Sequence, residues 1–128
     1  MRTLLILSAA VLAAAPAASA DRSKDAAAVD RATAGRTAGK PIDCITRART
    51  GDDFQVAGRT LIFRSNSRTT YLNEVSPGCD TKLSQQALVF RSISSRLCRG
   101  EIAQVVDLMG GAGGGSCTLG QFVPYTRP

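Results

Sequence analysis

The sequence predicts a mainly β protein: a small antiparallel barrel or sandwich of five to six strands, stapled by two disulfides. Its 128 residues allow one small domain. After Pro41, short apolar runs alternate with Gly, Ser, Asn and Pro, which is typical of antiparallel strands joined by turns. Four well-separated cysteines are typical of small domains held together by disulfides.

Residues 1–20 have the pattern of a secretory signal peptide. Arg2 precedes an apolar run, and Ala18-Ser19-Ala20 supplies the small residues that a signal peptidase requires. A membrane anchor would need about 18 uninterrupted apolar residues, whereas Pro16 lies near the end of this shorter run. We therefore expect cleavage after Ala20 and a periplasmic or secreted product with no transmembrane segment.

Residues 21–40 predict a flexible spacer rich in Ala, Arg and Asp. Val29 is their only larger apolar residue, and such a segment cannot bury enough apolar surface to fold alone. A helix over residues 25–34 is compatible with the alanines, but an isolated helix of that length is marginal in water. The disulfide-stapled β domain is expected to follow over residues 41–128.

Alternation of apolar and polar residues predicts the strands of this domain. Leu61 and Phe63 are expected to face the core, because alternate residues of a strand point to the same side. Tyr71 shares a face with Asn73 and Val75 in the following strand. The predicted strands cover residues 54–56, 60–64, 69–75, 88–94, 102–109 and 117–125.

The last two predicted strands supply further packing residues. In the strand over residues 102–109, Ile102, Val106 and Leu108 share one face. In the strand over residues 117–125, the residues expected to pack are Leu119, Phe122 and Tyr125. Pro124 indicates a strand near a sheet edge, because proline cannot donate a ladder hydrogen bond.

Turn-forming residues separate the predicted strands. Ala57-Gly58 is a tight turn, residues 65–68 form the next turn, and Pro77-Gly78 breaks the third strand. Residues 80–86 are compatible with one helical turn. The glycine run over residues 110–115 is expected to be a mobile loop.

The cysteines favour two structural disulfides over a metal site or a redox pair. No two of them are closer than 19 residues, so neither a CxxC nor a zinc-ribbon spacing occurs. Three pairings are possible. In an up-and-down sheet, Cys79 and Cys117 would lie at one end and Cys44 and Cys98 at the other, which favours pairing within each end. A Greek-key crossover would remove the basis for this preference.

Residues 42–125 carry five short motifs. They are Cys44-Ile45, Thr60-Leu61-Ile62-Phe63, Tyr71 with Asn73 and Cys79, Leu97-Cys98 with Glu101-Ile102, and Cys117-Thr118-Leu119-Gly120-Gln121-Phe122. Together they resemble an uncharacterised family of small exported bacterial proteins, defined by a domain of unknown function, with four cysteines and a closing Cys-x-Leu-Gly-x-Phe stretch. Its Cys-Pro-Gly-Leu loop is replaced here by Pro77-Gly78 before the cysteine and Asp80-Thr81-Lys82-Leu83 after it. The resemblance implies the domain limits and the four-cysteine framework, and it implies no activity.

Residue types restrict the chemistry that the chain can perform. It has no histidine, the side chain that most often transfers protons near neutral pH. Histidine triads and histidine-dependent zinc sites are therefore excluded, and we expect no cofactor and no metal. The remaining candidate nucleophiles and bases are Ser65, Ser67, Ser92, Ser94 and Ser95, with Lys24, Lys40 and Lys82.

Two further patterns bear on catalysis and phosphate binding. The run from Gly110 to Gly115 has neither a following Gly-Lys-Ser/Thr nor the third glycine of G-x-G-x-x-G, which favours a hairpin connection over a phosphate loop. Asp52, Asp53 and Glu101 give the alternative of an envelope hydrolase with paired carboxylates. Adjacent aspartates after Gly51 are more typical of a solvated turn, and Glu74 is the only other glutamate.

Arginine is the feature with implications for partners. The net charge is +6, and guanidinium groups recognise phosphate and carboxylate. The candidate residues are Arg47, Arg49, Arg59, Arg64, Arg68, Arg91, Arg96 and Arg99. They favour a non-enzymatic exported binding or structural domain that contacts an acidic protein or an anionic envelope component. The alternative is that the arginines only cover strand faces. Nucleic acid is disfavoured, because only 5% of the residues are aromatic and available for stacking.

Overall fold

The computed structural model describes residues 18–47, 54–79, 86–110 and 113–128. They form one helix and ten strands. These are α1 (Ala18–Thr33), β1 (Thr37–Ala38), β2 (Cys44–Thr46), β3 (Phe54–Ala57), β4 (Thr60–Arg64), β5 (Thr69–Glu74), β6 (Gln86–Phe90), β7 (Arg96–Cys98), β8 (Ile102–Asp107), β9 (Ser116–Thr118) and β10 (Phe122–Thr126).

The strands form three antiparallel sheets. The largest has the order β1-β10-β5-β4-β3, and the others are β2-β7 and β6-β8-β9. The predicted mainly β class with two disulfides is confirmed, but the single barrel or sandwich of five to six strands is wrong. Among the described strands, β1 and β3 are the two edges of the large sheet, and the chain passes through β6 to β9 between the neighbouring strands β5 and β10.

One face of the large sheet forms the main core. Leu61 and Phe63 are 1% and 0% exposed, which confirms that they face inward. All four phenylalanines of the chain meet on this side, with Phe63 in contact with Phe54, Phe90 and Phe122 at ring-centroid distances of 5.5, 6.2 and 5.7 Å. Tyr71 packs against the same cluster. The alternation in β4 and β5 therefore indicated the correct core face.

The opposite face of the large sheet is covered in part by α1. Ala28 and Ala32 are 6% and 7% exposed, and they pack with Ala57 and Ile62. The structure thus differs from the flexible spacer expected over residues 21–40. The helix buries mainly alanine, so it lacks the stripe of large apolar residues from which a docked helix is predicted.

Asn73 joins the large sheet to the chain segment that precedes β10. It is 0% exposed, its Oδ1 accepts the Gly120 N–H at 2.9 Å, and its Nδ2 donates to the Gly120 carbonyl at 2.8 Å. A side chain at Gly120 would overlap the Glu74 carbonyl. The chain therefore bends here, and the single strand predicted over residues 117–125 divides into β9 and β10.

Several other predictions from the sequence need correction. Ile102 and Val106 share one face of β8, but Ile102 is 52% exposed, and the buried residues Ala103 and Val105 lie on the opposite face, which meets the core. Leu108, the third residue predicted on that face, is 67% exposed and follows the end of β8. The strand predicted over residues 88–94 lies at 86–90. The turn predicted at Ala57-Gly58 lies at Gly58-Arg59, because Ala57 pairs with Thr60.

Pro124 and the glycine run both lie close to neighbouring backbone. β10 is one strand in from the edge strand β1, which confirms the predicted position near a sheet edge. Pro124 has no N–H to donate to its neighbour Gly39, and β1 ends one residue earlier at Ala38. In the glycine run, Gly113 and Gly115 approach other backbone segments so closely that a side chain would overlap the Val105 and Gly78 carbonyls. Close packing, and not only flexibility, therefore requires glycine there.

The disulfides are Cys44–Cys98 and Cys79–Cys117. Cys44 lies directly opposite Cys98 in the β2-β7 sheet, with a Cα–Cα distance of 4.0 Å. The other bridge ties the segment after β5 to β9, with a Cα–Cα distance of 5.4 Å. This is the preferred pairing, although the three-sheet arrangement differs from the up-and-down sheet that suggested it.

Candidate functional site

Four arginines lie at one end of the large sheet, and we call this group the basic end. It consists of Arg36, Arg64, Arg68 and Arg127. Arg64 ends β4, Arg68 is in the turn before β5, Arg127 follows β10, and Arg36 precedes β1. Neighbouring strands of an antiparallel sheet run in opposite directions, so the end of β4, the start of β5, the end of β10 and the start of β1 lie at the same end of the sheet.

Arg36 links the two sides of the basic end. Its Nη1 donates to the Arg68 carbonyl at 2.6 Å, and its Nη2 donates to the Ser67 carbonyl at 3.2 Å. The Arg127 N–H donates to the same Arg68 carbonyl at 3.0 Å. Because Arg36 lies beside the edge strand β1 and the turn lies beyond β10, its side chain reaches across the end of β10.

The turn that receives Arg36 is itself ordered by a side chain. The Asn66 Oδ1 accepts the N–H groups of Arg68 and Thr69, both at 2.8 Å. These bonds form an Asx turn, in which the side chain replaces a backbone acceptor. The carbonyls of Ser67 and Arg68 are thereby held toward Arg36.

The basic end carries positive charges without carboxylate partners among the described residues. The pKa of Arg36 is lowered by desolvation and then by the positive charges of Arg127 and Arg64. Within the described part of the chain, no carboxylate forms an ion pair with any of the four arginines. Arg64 Nη2 instead donates to the neutral Gln55 Oε1 at 3.1 Å. Guanidinium groups gathered without a counter-charge favour an external anion.

The other predicted arginines do not join this group. Arg47 Nη1 donates to the Ser92 carbonyl at 3.0 Å, and Arg91 Nε donates to Gln104 Oε1 at 2.8 Å. Arg59 donates through Nε and Nη2 to the Val75 carbonyl. Arg96 is exposed on β7, and Arg99 lies 4.0 Å from Asp43. Arg49 is outside the described residues, so the predicted arginines are distributed over several surfaces.

A groove lies on the outer face of the large sheet, beside the part that α1 covers. Its volume is about 320 Å³. The lining residues are Pro41, Thr60, Leu72, Glu74, Gln121, Val123 and Tyr125. Tyr125 is opposite Thr70, which is opposite Arg64, so the Tyr125 end of the groove is adjacent to the basic end.

The predicted catalytic residues do not form a site among the described residues. Asp52, Asp53 and Lys82 are outside the described part of the chain. The Glu101 Oε2 accepts the Cys98 N–H at 2.6 Å, and the Glu101 N–H donates to the Cys98 carbonyl at 3.2 Å. Glu101 therefore closes the turn between β7 and β8. Ser92 Oγ accepts the Ser94 N–H at 3.2 Å, a further local turn contact.

Sequence reasoning missed Arg36, Arg127 and the groove. Arg36 lies in the segment taken as a spacer, and Arg127 follows the last predicted strand. Arg127 could have been found by pairing the predicted strands with one another. That pairing would have placed the end of the last strand beside the Ser65–Arg68 turn. The groove had no signal in the alternation, because its lining residues come from β4, β5, β10 and the segments before β2 and β10, which only the sheet order brings together.

The fold and the basic end define a small, mainly β protein with two disulfides and a cationic surface whose four arginines form no ion pair with a described carboxylate. No protein-family model matches this chain, and no curated protein or solved structure matches it. Among the described residues, no helix is long and apolar enough to cross a membrane. All four cysteines are oxidised, which fits an oxidising location outside the cytoplasm.

Proposed function

We propose that this protein is a non-enzymatic exported domain of the bacterial periplasm or envelope, which binds an anionic envelope component through the basic end. The observation that carries the proposal is the gathering of Arg36, Arg64, Arg68 and Arg127 without an ion-paired carboxylate among the described residues. Like charges held together repel one another. A bound phosphate or carboxylate would relieve that repulsion.

The chemistry of the group supports an anion as the ligand. A guanidinium group presents a planar set of donors that fits phosphate and carboxylate oxygens. The Arg36 guanidinium is already held by two backbone carbonyls, so it loses less side-chain freedom on binding than a free arginine would. The signal-peptide pattern of residues 1–20 and the two disulfides agree with action outside the cytoplasm.

The test is co-sedimentation of the processed protein with lipid vesicles. Vesicles with anionic phosphatidylglycerol should retain the protein at low salt, whereas vesicles of neutral phosphatidylcholine should not. Binding should fall as salt rises, because exposed charges are screened. Absence of any difference between the two vesicle types at low salt would overturn the proposal.

A matched pair of variants assigns the binding to the basic end. Arg64→Gln combined with Arg127→Gln should reduce retention on the anionic vesicles several-fold. The control combines Arg96→Gln with Arg31→Gln, which removes the same charge from exposed positions elsewhere. If both double variants lose binding equally, the protein responds to net charge alone and the basic end is not the site.

A further inference from the structure

The groove has polar groups of different character at its two ends. Tyr125 lies at the basic end, whereas Thr60, Glu74 and Gln121 lie at the other end. The two ends are four residues apart along the chain from Gln121 to Tyr125, which is about 13 Å at about 3.3 Å per residue. Glu74 lines the far end of the groove, whereas the arginines of the basic end lie just beyond Tyr125, with Arg127 two residues further along the chain. A ligand that fills the groove and extends past Tyr125 therefore reaches cations at one end and a carboxylate at the other.

Apolar side chains form the middle of the groove. Leu72 and Val123 lie directly opposite each other on β5 and β10, and both are half-buried. Pro41 adds apolar surface from the edge of the sheet. This floor favours a hydrocarbon body over a polar one, because burial of apolar surface is the main favourable contribution in such sites.

The volume limits the size of the occupant. At about 320 Å³, the groove is at the small end of the range for ligand sites, which begins at about 300 Å³. That volume suits one hydrocarbon chain and not the two chains of a membrane phospholipid. The sheet face offers no unpaired strand edge for an extended peptide, because β5 and β10 are already paired on both sides.

We infer that the groove binds a single-chain amphiphile, with its anionic head at the basic end and its hydrocarbon chain over Leu72 and Val123. This inference rests on the proposed function, since it uses the same arginines for the head group. Glu74 is the charged residue that lines the far end, while the Arg59 guanidinium nearby is held by the Val75 carbonyl. We expect Glu74 to repel a second anion on the ligand there and to attract an ammonium group.

The experiment is calorimetric titration of the processed protein with four ligands of equal chain length, each below its micelle-forming concentration. They are dodecanoate, ω-aminododecanoate, dodecanedioate and dodecylammonium. Dodecanoate and ω-aminododecanoate should bind, and dodecanedioate should bind about tenfold more weakly than the ω-amino acid. Dodecylammonium can reach Glu74 but brings no anion to the arginines, so it should bind more weakly than ω-aminododecanoate. Equal affinity for all four ligands would overturn the inference.

Three variants test the groove separately from the basic end. Val123→Asp places a charge on the floor and should abolish dodecanoate binding, whereas Val89→Asp, an exposed apolar position on β6, should leave it unchanged. Glu74→Gln should remove the discrimination against dodecanedioate. A thermal melt of each variant reports whether it is folded, and the Glu74→Gln result keeps the inference testable if Val123→Asp unfolds.

The outcomes separate the two proposals. If anionic vesicles bind and none of the four amphiphiles does, the groove inference is wrong and the proposed function stands. If dodecanoate binds with an affinity that Arg64→Gln with Arg127→Gln leaves unchanged, the basic end is not the head-group site and the inference fails. If neither vesicles nor amphiphiles bind, both proposals fail.

Discussion

The two faces of the large sheet are stabilised by side chains of very different size. On the core face, Phe63 is surrounded by three other phenylalanines and is 0% exposed. On the outer face, Ile62 is equally buried, but the helix that covers it contributes chiefly Ala28 and Ala32. Alanine buries little apolar area, and stabilisation scales with the area removed from water.

This difference shows that one strand can contribute to two layers of apolar packing that differ in the area they bury. Leu61, Ile62 and Phe63 are consecutive and all buried, so β4 has apolar contacts on both sides. The core face is continuous, whereas the outer face is closed only where α1 lies. The remaining part of the outer face, over β5 and β10, is open and forms the groove. The weaker layer is therefore also the layer with room for a ligand.

The largest expected effect is on the core face. Phe63→Ala should lower the free energy of unfolding by about 3–5 kcal/mol, because it removes a buried aromatic ring and leaves a cavity. Urea unfolding followed by circular dichroism measures this change. Val89→Ala, at a position 44% exposed, is the control and should cost less than about 1 kcal/mol. Similar losses for both would show that the aromatic cluster is not the centre of the core.

The next effect concerns the polar contact between the core face and the bend before β10. Asn73→Ala removes both hydrogen bonds to Gly120 and should cost about 3 kcal/mol, since each buried group left unpaired costs about 1–3 kcal/mol. The same urea titration measures it. Gln121→Ala removes only an exposed side-chain contact to Asp43 and should be almost neutral. An Asn73→Ala variant as stable as the parent would contradict this role.

A smaller effect is expected on the outer face. Ala32→Glu places a charge between α1 and β4 and should release the helix at a cost of about 1–3 kcal/mol. Hydrogen exchange should then accelerate in α1 while the amides of β4 and β5 remain protected. Ala26→Glu, at an exposed position of the same helix, is the matched control. If exchange in β4 accelerates together with that in α1, the two layers are not independent.

The smallest effect is expected away from both faces. Arg99 and Asp43 are 4.0 Å apart with side chains 61% and 68% exposed. Arg99→Gln should change the free energy of unfolding by less than about 1 kcal/mol, because solvent screens exposed ion pairs. Thermal melts at low and high salt measure the difference. A larger loss that salt abolishes would mean that this pair stabilises the β2-β7 sheet.

The parts of the fold that could be predicted were those that depend on local alternation. The hairpin of β3 and β4 and the core positions Leu61 and Phe63 follow from a period of two. The three-residue strands β2 and β7 could not be predicted, because they are too short to show a period. Their position depends on the Cys44–Cys98 bridge and on contacts between distant segments.

The candidate site was predicted only in part. Arg64 and Arg68 were among the candidate arginines, but their grouping with Arg36 depends on how β1 and β10 pair. Arginine count indicates an affinity for anions, and it contains no information about which guanidinium groups become neighbours. That information lies in the sheet order, which joins segments that are far apart in the chain.

The return of the chain as β10 also affects the order of folding events. Asn73 and Phe122 are partners in the large sheet, yet β6 to β9 lie between them in the chain, which includes the whole of the β6-β8-β9 sheet and one strand of the β2-β7 sheet. The entropy of closing so long a loop must be overcome before this pairing contributes stability. We expect the β3-β4-β5 meander to form early and β10 to join it late, so that the groove and the basic end appear in the final step of folding.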